Sequence, residues 1–245
     1  MKDTELTPSS GSKEFDVRQE FDLSKISADK ISADDAKNSG FDIVARAWLK
    51  DHPNATKAKK DKFVNKFFQG YRNRPSRRTG KPHSASPDPL VLKLVAALPG
   101  CRFSENDIAR MHQDAMAVEN ITGALLEEYI AVNVTGKGWA ICWGSTIRAT
   151  DLVSDEGRKL QIKNKTNTEN SSSRQVRKGT DIVVWHRLDA NDGRYYWEDL
   201  NNIIGHGCCM SEEGFREFAL KALKSNPKMI NLNFTEEQTE QPDGA

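Results

Sequence analysis

Three polar residues, Asp151, Gln161 and Lys163, stand at a spacing that can bring a carboxylate, an amide oxygen and an ammonium group together on two paired strands. Carboxylate and amide oxygens are the hard ligands that Mg²⁺ takes. An ammonium group can hold an attacking water or stabilise negative charge that develops on a phosphate. Phosphodiester hydrolysis uses both, because a divalent cation offsets charge and activates water. The trio therefore predicts metal-dependent chemistry at a phosphate if the fold joins its members.

The turn between these residues decides whether they meet. If Asp155-Glu156-Gly157 is a three-residue hairpin loop, its last residue takes the left-handed conformation that glycine favours. Asp151 then faces Gln161 across the hairpin, and Lys163 faces Ala149. Gln161 and Lys163 are two residues apart, so they share one face of their strand. A four-residue loop would shift the register by one and move Asp151 away from both.

A second carboxylate is expected from the helix that precedes the strands. At helical spacing an apolar stripe forms from Val118, Ile121, Leu125 and Tyr129. Glu128 falls at the edge of this stripe, whereas Glu127 falls on the side that faces water. We therefore expect Glu128 to point along the sheet and to join Asp151 and Gln161 as a metal ligand. The alternative is that Glu128 is an acid on the helix surface.

The net charge of +1 conceals strong segregation of charge. Residues 1–35 carry nine acids and five bases, residues 36–82 carry thirteen bases and three acids, and the tail from Thr235 carries four acids and no base. A basic block is typical of a surface that neutralises phosphates. The arginines expected to contact DNA are Arg72, Arg74, Arg77 and Arg78, which follow a helix with interleaved aromatic residues. A solvated helix face is the alternative interpretation.

A polar stretch over residues 164–178 directly follows Lys163. Asparagine pairs with adenine edges and arginine with guanine edges. The residues with this chemistry, together with a neighbouring lysine, are Asn167, Asn170, Arg174, Arg177 and Lys178. Because the stretch begins beside the proposed catalytic strand, we expect it to contact DNA next to the cleaved phosphate. Its composition also fits a flexible polar loop.

The order of elements indicates a protein that combines helices and strands, divided into four segments. Residues 1–40 read as a polar extension, 41–89 as a basic helical segment and loop, 90–234 as the core, and 235–245 as an acidic tail. Helical periodicity runs over 41–49, 55–71 and 104–131, with a possible break near Asn120, and again over 211–223. Three short segments over 138–144, 147–153 and 159–163 predict an antiparallel meander, and 180–188 predicts a further strand. Helices, then strands, then a helix make an α+β or a mixed α/β domain.

Composition excludes several classes of protein. No run of 18 apolar residues is present, and the amino terminus lacks the apolar segment of a secretory signal. Four cysteines, at 101, 142, 208 and 209, are too few and too scattered for a disulfide framework. No glycine-rich phosphate loop is present, so we expect no nucleotide cofactor. We expect a cytoplasmic protein that does not associate with membranes.

At the proposed catalytic residues the chain resembles the PD-(D/E)XK nuclease superfamily. That pattern is a helix acid, an Asp on one strand of a hairpin, and an acid-x-Lys on the next strand. The corresponding residues are Glu127-Glu128, Asp151 and Gln161-Ile162-Lys163. The chain departs from the pattern at Thr150, where the superfamily often has Pro, and at Gln161, which replaces the usual acid. The resemblance implies a mixed β-sheet flanked by helices and a Mg²⁺-dependent nuclease.

A second resemblance, over roughly residues 90–225, is to type II restriction endonucleases of the SinI kind. The stretches that carry it are Gln161–Lys165, Asn167–Ser173, Arg177–Thr180, Trp185 and Trp197–Asn201. It implies a homodimer that cleaves double-stranded DNA at a short palindrome with Mg²⁺ and leaves a 5′-phosphate. Two alternatives stay open: a repair or junction nuclease with the same core, and a non-catalytic DNA-binding protein that uses the basic block alone.

Overall fold

The computed structural model describes residues 20–21, 38–80, 87–166 and 171–232. Its helices are α1 (Phe41–Asp51), α2 (Lys57–Arg72), α3 (Pro89–Ala96), α4 (Glu105–Val134), α5 (Ser171–Arg177), α6 (Trp197–Ile204) and α7 (Glu212–Ser225). Its strands are β1 (Trp139–Ile141), β2 (Leu152–Ser154), β3 (Lys159–Lys165) and β4 (Val183–Leu188). Short 3₁₀ turns cover Pro75–Arg77 and Pro227–Met229.

The four strands form one mixed sheet in the order β1-β2-β3-β4. β1, β2 and β3 are antiparallel neighbours, and β4 runs parallel to β3. The parallel step requires a crossover, and the connection between β3 and β4 contains α5. The mixed α/β architecture with a sheet flanked by helices is therefore confirmed. The polar stretch, for which a flexible loop was the alternative interpretation, contributes this helix.

The predicted hairpin register is confirmed. Leu152 pairs with Leu160 and Val153 pairs with Lys159, as the three-residue turn requires. Gly157 closes this turn with φ of +90°, in the region that favours glycine.

The strand predicted over 147–153 is shorter than expected, and only its end belongs to β2. Ala149 has φ of +54° and forms no strand pair with Lys163. Residues 143–150 instead make an irregular connection that delivers Asp151 to the start of β2. The predicted pairing of Lys163 with Ala149 was therefore wrong, although the register itself was right.

The aromatic residues of α2 pack into the core. Phe67 and Phe68 are at most 1% exposed, and both rings lie against Phe41 of α1. Phe21 is equally buried and contacts the rings of Phe41 and Phe63. One continuous cluster joins these side chains to the sheet and to α4. The basic residues of α2 therefore occupy its outer face, and its aromatic residues do not contribute to a nucleic-acid surface.

α4 is a single helix of 30 residues that passes through Asn120 without a break. A capping box between Ser104 and Asp107 begins it. Its first buried residue is Ile121, and from there it packs on the sheet and on α7. Its amino-terminal half packs with α3, in which no residue is buried.

Among the described residues no helix has both the length and the apolar composition needed to cross a bilayer. Residues 1–19, 22–37 and 233–245 lie outside the described part, so the predicted extension and acidic tail stay predictions.

Candidate active site

Asp151 is fixed by its backbone and by its side chain. Its N–H donates to the carbonyl of Leu160 at 2.9 Å, and its carbonyl accepts from the N–H of Cys142 at 2.8 Å. Its carboxylate Oδ2 accepts from the N–H of Ile162 at 2.8 Å. Burial raises the pKa of Asp151, while the Ile162 N–H and the charge of Lys163 lower it. The carboxylate therefore lies beside the middle of β3.

Gln161 and Lys163 share one face of β3. They alternate with Leu160 and Ile162, which are 1% and 7% exposed and point into the core. Gln161 and Lys163 are only partly buried on the opposite face. The electrostatic interaction between Asp151 and Lys163 joins the hairpin carboxylate to this face. The structure thus brings together the three residues that the sequence singled out.

Glu127 is the helix acid that faces this cluster. Its pKa is raised to about 8, first by burial and next by the Asp151 carboxylate, while Arg78 and Lys163 lower it. Interaction with both Asp151 and Lys163 places Glu127 on the side of α4 that looks toward β3. The expectation that Glu127 faces water was therefore wrong.

Glu128 was expected to point toward the trio, and that orientation was also wrong. Glu128 is 4% exposed. Its carboxylate accepts from the N–H of Ser76 at 2.9 Å and from the Ser76 hydroxyl, and it pairs with Nε of Arg74 at 3.1 Å. The helical wheel failed because α4 is packed on two sides, by β1 and β3 and by the turn Pro75–Arg77 with α7. An acid at the edge of the apolar stripe faces the second of these partners.

Arg74 was expected to contact DNA, but its guanidinium is occupied inside the protein. Besides pairing with Glu128, it donates to the carbonyl of Tyr71 at 2.8 Å and lies 4.3 Å from the centre of that ring. Moving Arg74 to a phosphate would leave Glu128 as an unpaired buried charge, which is costly. The structure therefore assigns Arg74 to this internal pair.

Arg77 and Arg78 are exposed, and Arg72 is partly buried. Two hydrogen bonds anchor the backbone that carries Arg77 and Arg78. The side chain of Asn226 donates to the carbonyl of Arg78 at 2.8 Å. The N–H of Gly80 donates to the carbonyl of Lys228, also at 2.8 Å. The positive charge of Arg78 lowers the pKa of Glu127. The end of the basic block therefore lies beside the carboxylate cluster. Spacing along the chain gave no signal for this contact.

The polar stretch after β3 is joined directly to the cluster. Nη1 of Arg177 donates to Oε1 of Gln161. Arg174, Arg177 and Lys178 line an open cavity of about 500 Å³. Asn167 and Asn170 lie outside the described residues, so their contacts with DNA stay a prediction. The remaining candidates stand on α5 and just after it, next to β3.

His186 is a neighbour that the sequence did not assign to the site. It pairs with Lys163 across the parallel strands. Its Nε2 is buried without a hydrogen-bond partner among the described residues. Burial lowers the pKa of His186, and the charges of Lys163 and Arg177 lower it further. A crossover between β3 and β4 was the signal that could have identified this neighbour, because parallel pairing aligns His186 with Lys163.

The donor atoms of the cluster fit a hard divalent cation. Asp151 and Glu127 supply two carboxylates, and Gln161 supplies an amide oxygen. Burial raises the pKa of both carboxylates. A bound cation would favour their charged forms and so lower both pKa values again. Among the described residues no three His, Cys, Asp or Glu side chains come together. This set of two carboxylates and neutral oxygens resembles a Mg²⁺ site and not a tetrahedral zinc site.

Comparison with known proteins gives concordant matches. A family model described as SinI restriction endonuclease matches residues 25–225. The type II restriction enzyme SinI of Salmonella infantis is 35% identical over 140 residues, which are 55% of this chain and 60% of that protein. The type II restriction enzyme Eco47I of Escherichia coli is 36% identical over 116 residues, which are 45% of this chain and 50% of that protein. The chain thus aligns with 60% and 50% of the length of these two relatives.

Proposed function

Since this chain belongs to the SinI restriction endonuclease family, we propose that it is a type II restriction endonuclease. It hydrolyses both strands of double-stranded DNA at a short specific sequence, with Mg²⁺ as its cofactor, and leaves 5′-phosphates. The observation that carries the proposal is the convergence of Asp151, Glu127, Gln161 and Lys163 on one face of β3 and the adjoining side of α4.

The arrangement supports a PD-(D/E)XK catalytic core. A helix acid, an Asp at the start of one hairpin strand and a Lys on the next occur in the order that the superfamily shows. Gln161 stands where the superfamily usually has an acid, so the second carboxylate of the site is Glu127. Asp151, Glu127 and Gln161 would hold the cation. When bound, Mg²⁺ supplies neutralisation of phosphate charge and a more acidic water.

Lys163 acts on the phosphate and the attacking water. Its ammonium group shares the β3 face with Gln161 and interacts with both carboxylates. There it can orient the water and stabilise the charge that grows on the phosphate oxygens. The Ile162 N–H holds the Asp151 carboxylate in place. As the water oxygen bonds to phosphorus, the bond between phosphorus and the 3′ oxygen breaks. The 3′ oxygen leaves and takes up a proton as a hydroxyl, and the phosphate stays on the 5′ oxygen of the next nucleotide.

Arg77 and Arg78 are proposed to hold the DNA backbone beside this site. Reversing both charges should weaken binding to all sequences about equally and flatten the dependence of affinity on salt, because phosphate contacts release counterions whatever the sequence. Fluorescence anisotropy over a salt series measures this effect. Arg216→Glu is the control, since it reverses an exposed arginine on α7. Loss of discrimination with unchanged nonspecific affinity would contradict the prediction.

Arg174 and Arg177 are proposed to read base edges, together with Asn167 and Asn170, and Lys178 to contact DNA beside them. A bidentate contact with a base is worth roughly 1–3 kcal/mol of discrimination. Alanine at Asn167, Asn170 or Arg174 should therefore lower cleavage of the cognate site about tenfold or more. Arg177→Ala also removes the donor to Oε1 of Gln161, so its test is the ratio between cognate and variant sites. Cleavage rates of the cognate site and of its single-base variants give the measurement. Wild-type rates and ratios in all four variants would place the reading element elsewhere.

Double-strand cleavage also bears on assembly. The described residues of one chain contain one such cluster, whereas a duplex has two scissile strands, so we propose that the enzyme acts as a homodimer. All four cysteines are free, in keeping with a reducing cytoplasm, where we propose that it meets DNA.

Digestion of a sequenced plasmid with and without Mg²⁺ tests the function. Discrete fragments that map to one short sequence are expected, and EDTA should abolish them. Random degradation or structure-dependent nicking would favour a repair or junction nuclease. A mobility shift without cutting at any divalent cation would favour a DNA-binding protein that is not an enzyme.

A further inference from the structure

Residues 89–120 form a helical hairpin that contributes nothing to the core. It consists of α3 and the first sixteen residues of α4, and we call it the arm. No side chain of the arm is buried, whereas α4 becomes buried from Ile121 onward. Sixteen helical residues span about 24 Å. The carboxyl end of the arm contacts the body, where Glu119 pairs with Lys165 of β3 at 2.8 Å, and the rest of the arm carries no buried side chain.

Both helices of the arm expose large apolar side chains at helical spacing. On α3 and the turn after it these are Leu90, Val91, Leu94 and Leu98, which are 49–62% exposed. On α4 they are Met111 and Val118, seven residues apart and 53% and 40% exposed. Repeats of four and seven residues define one face of a helix. Apolar side chains grouped in this way mark an interaction surface more strongly than scattered ones do.

The charge of the arm argues against DNA as its partner. Between residues 89 and 120 stand three lysines and arginines and four acids. A surface that neutralises phosphates needs a clear excess of bases, such as the one in residues 36–82. The arm is nearly neutral and apolar, which suits burial against protein.

We propose that the arm is the dimerisation element of this enzyme and that its occupant is the arm of a second copy. Two helical hairpins related by a twofold axis pack as a four-helix bundle, which is a closed, self-complementary interface. The six apolar side chains expose on the order of 500 Å², enough for the apolar centre of an interface that buries about 800 Å² per partner.

The choice of a second copy rests on the proposed function, because cutting two strands calls for two active sites. The same helix supplies both features: α4 carries Met111 in the arm and Glu127 in the active site, sixteen residues or about 24 Å apart. Pairing through the arm would therefore set the separation of the two active sites rigidly. That separation determines how far apart the two strands are cut.

Sedimentation velocity of the full chain over a micromolar concentration series tests the proposal without any DNA. We expect a dimer, and the double variant Leu94→Glu/Leu98→Glu should raise its dissociation constant at least about a hundredfold. Leu220→Glu, which changes a 54% exposed leucine on α7, should leave the dimer intact. Met111→Arg places a charge on the other helix of the arm and should act like the double variant. Circular dichroism verifies that each variant is folded.

Two outcomes would overturn the proposal. One is a wild-type chain that stays monomeric throughout the series, as it would if its own amino-terminal residues or another protein covered the arm. The other is a dimer that folded arm variants do not weaken. Failure of the nuclease proposal looks different: the arm variants would still dissociate the dimer, but neither wild type nor variant would cut DNA.

Discussion

Lys163→Ala should reduce DNA cleavage by at least about a hundredfold, because loss of one preorganised group that stabilises developing charge costs that much or more. Specific binding should persist, since the contacts to bases and backbone are assigned to other residues. Single-turnover cleavage with Mg²⁺ measures the first effect, and a mobility shift with Ca²⁺ measures the second.

A matched control lies on the same strand and the same face. Lys159 is four residues before Lys163 in β3, but it pairs with Asp51 of α1 at 2.8 Å. Lys159→Ala should therefore change cleavage only slightly. Cleavage at the wild-type rate by Lys163→Ala would remove this lysine from the mechanism.

Asp151→Asn is the companion change to Lys163→Ala. The asparagine oxygen can still accept from the Ile162 N–H, so the hairpin should stay intact, while the charge that attracts the cation is lost. We expect cleavage to fall as it does for Lys163→Ala, and binding of Mg²⁺, measured by calorimetry, to weaken. Unimpaired cleavage by this variant would require another carboxylate in the site.

The hairpin could be predicted because one local feature determines its register. Gly157 in the left-handed region permits a three-residue turn, and that turn alone aligns Asp151 with Gln161 and Lys163. No knowledge of the rest of the fold is needed for this alignment. The proximity of His186 required more, namely the parallel pairing of β4, which depends on the crossover through α5.

The two glutamates of α4 could not be assigned from the helix alone. A helical wheel assumes one buried face, but α4 contacts the sheet on one side and the turn Pro75–Arg77 on the other. Which acid faces the candidate active site depends on where Arg74 and Ser76 lie, and Ser76 is 52 residues before Glu128 in the sequence. The same long-range contact removed Arg74 from the DNA-binding candidates. Residues whose partners are distant in the chain are those that sequence periodicity misplaces.

Glu127→Gln and Glu128→Gln should therefore separate catalysis from stability. Glu127→Gln should abolish cleavage, since it removes a carboxylate that faces Asp151 and Lys163. Glu128→Gln should instead destabilise the fold by roughly 3–5 kcal/mol, because it leaves the buried charge of Arg74 without its partner. Cleavage assayed below the melting temperature of Glu128→Gln should keep most of its kcat. Urea unfolding and single-turnover cleavage of both variants measure the two effects.

The pH dependence of stability gives the Glu127 assignment a readout that needs no cleavage. The folded protein holds a proton on Glu127 up to a pKa of about 8, whereas the ordinary value is 4.5. The wild type without metal should therefore lose stability as pH rises from about 4.5 to 8, since the unfolded chain releases that proton first. The Glu127→Gln variant never acquires this charge. Its advantage over wild type in the free energy of unfolding should therefore be absent at pH 4 and amount to a few kcal/mol at pH 8.5. Saturating Mg²⁺ should shrink that advantage by stabilising the wild type. An unchanged difference across this range would mean that Glu127 is solvated and does not face Asp151.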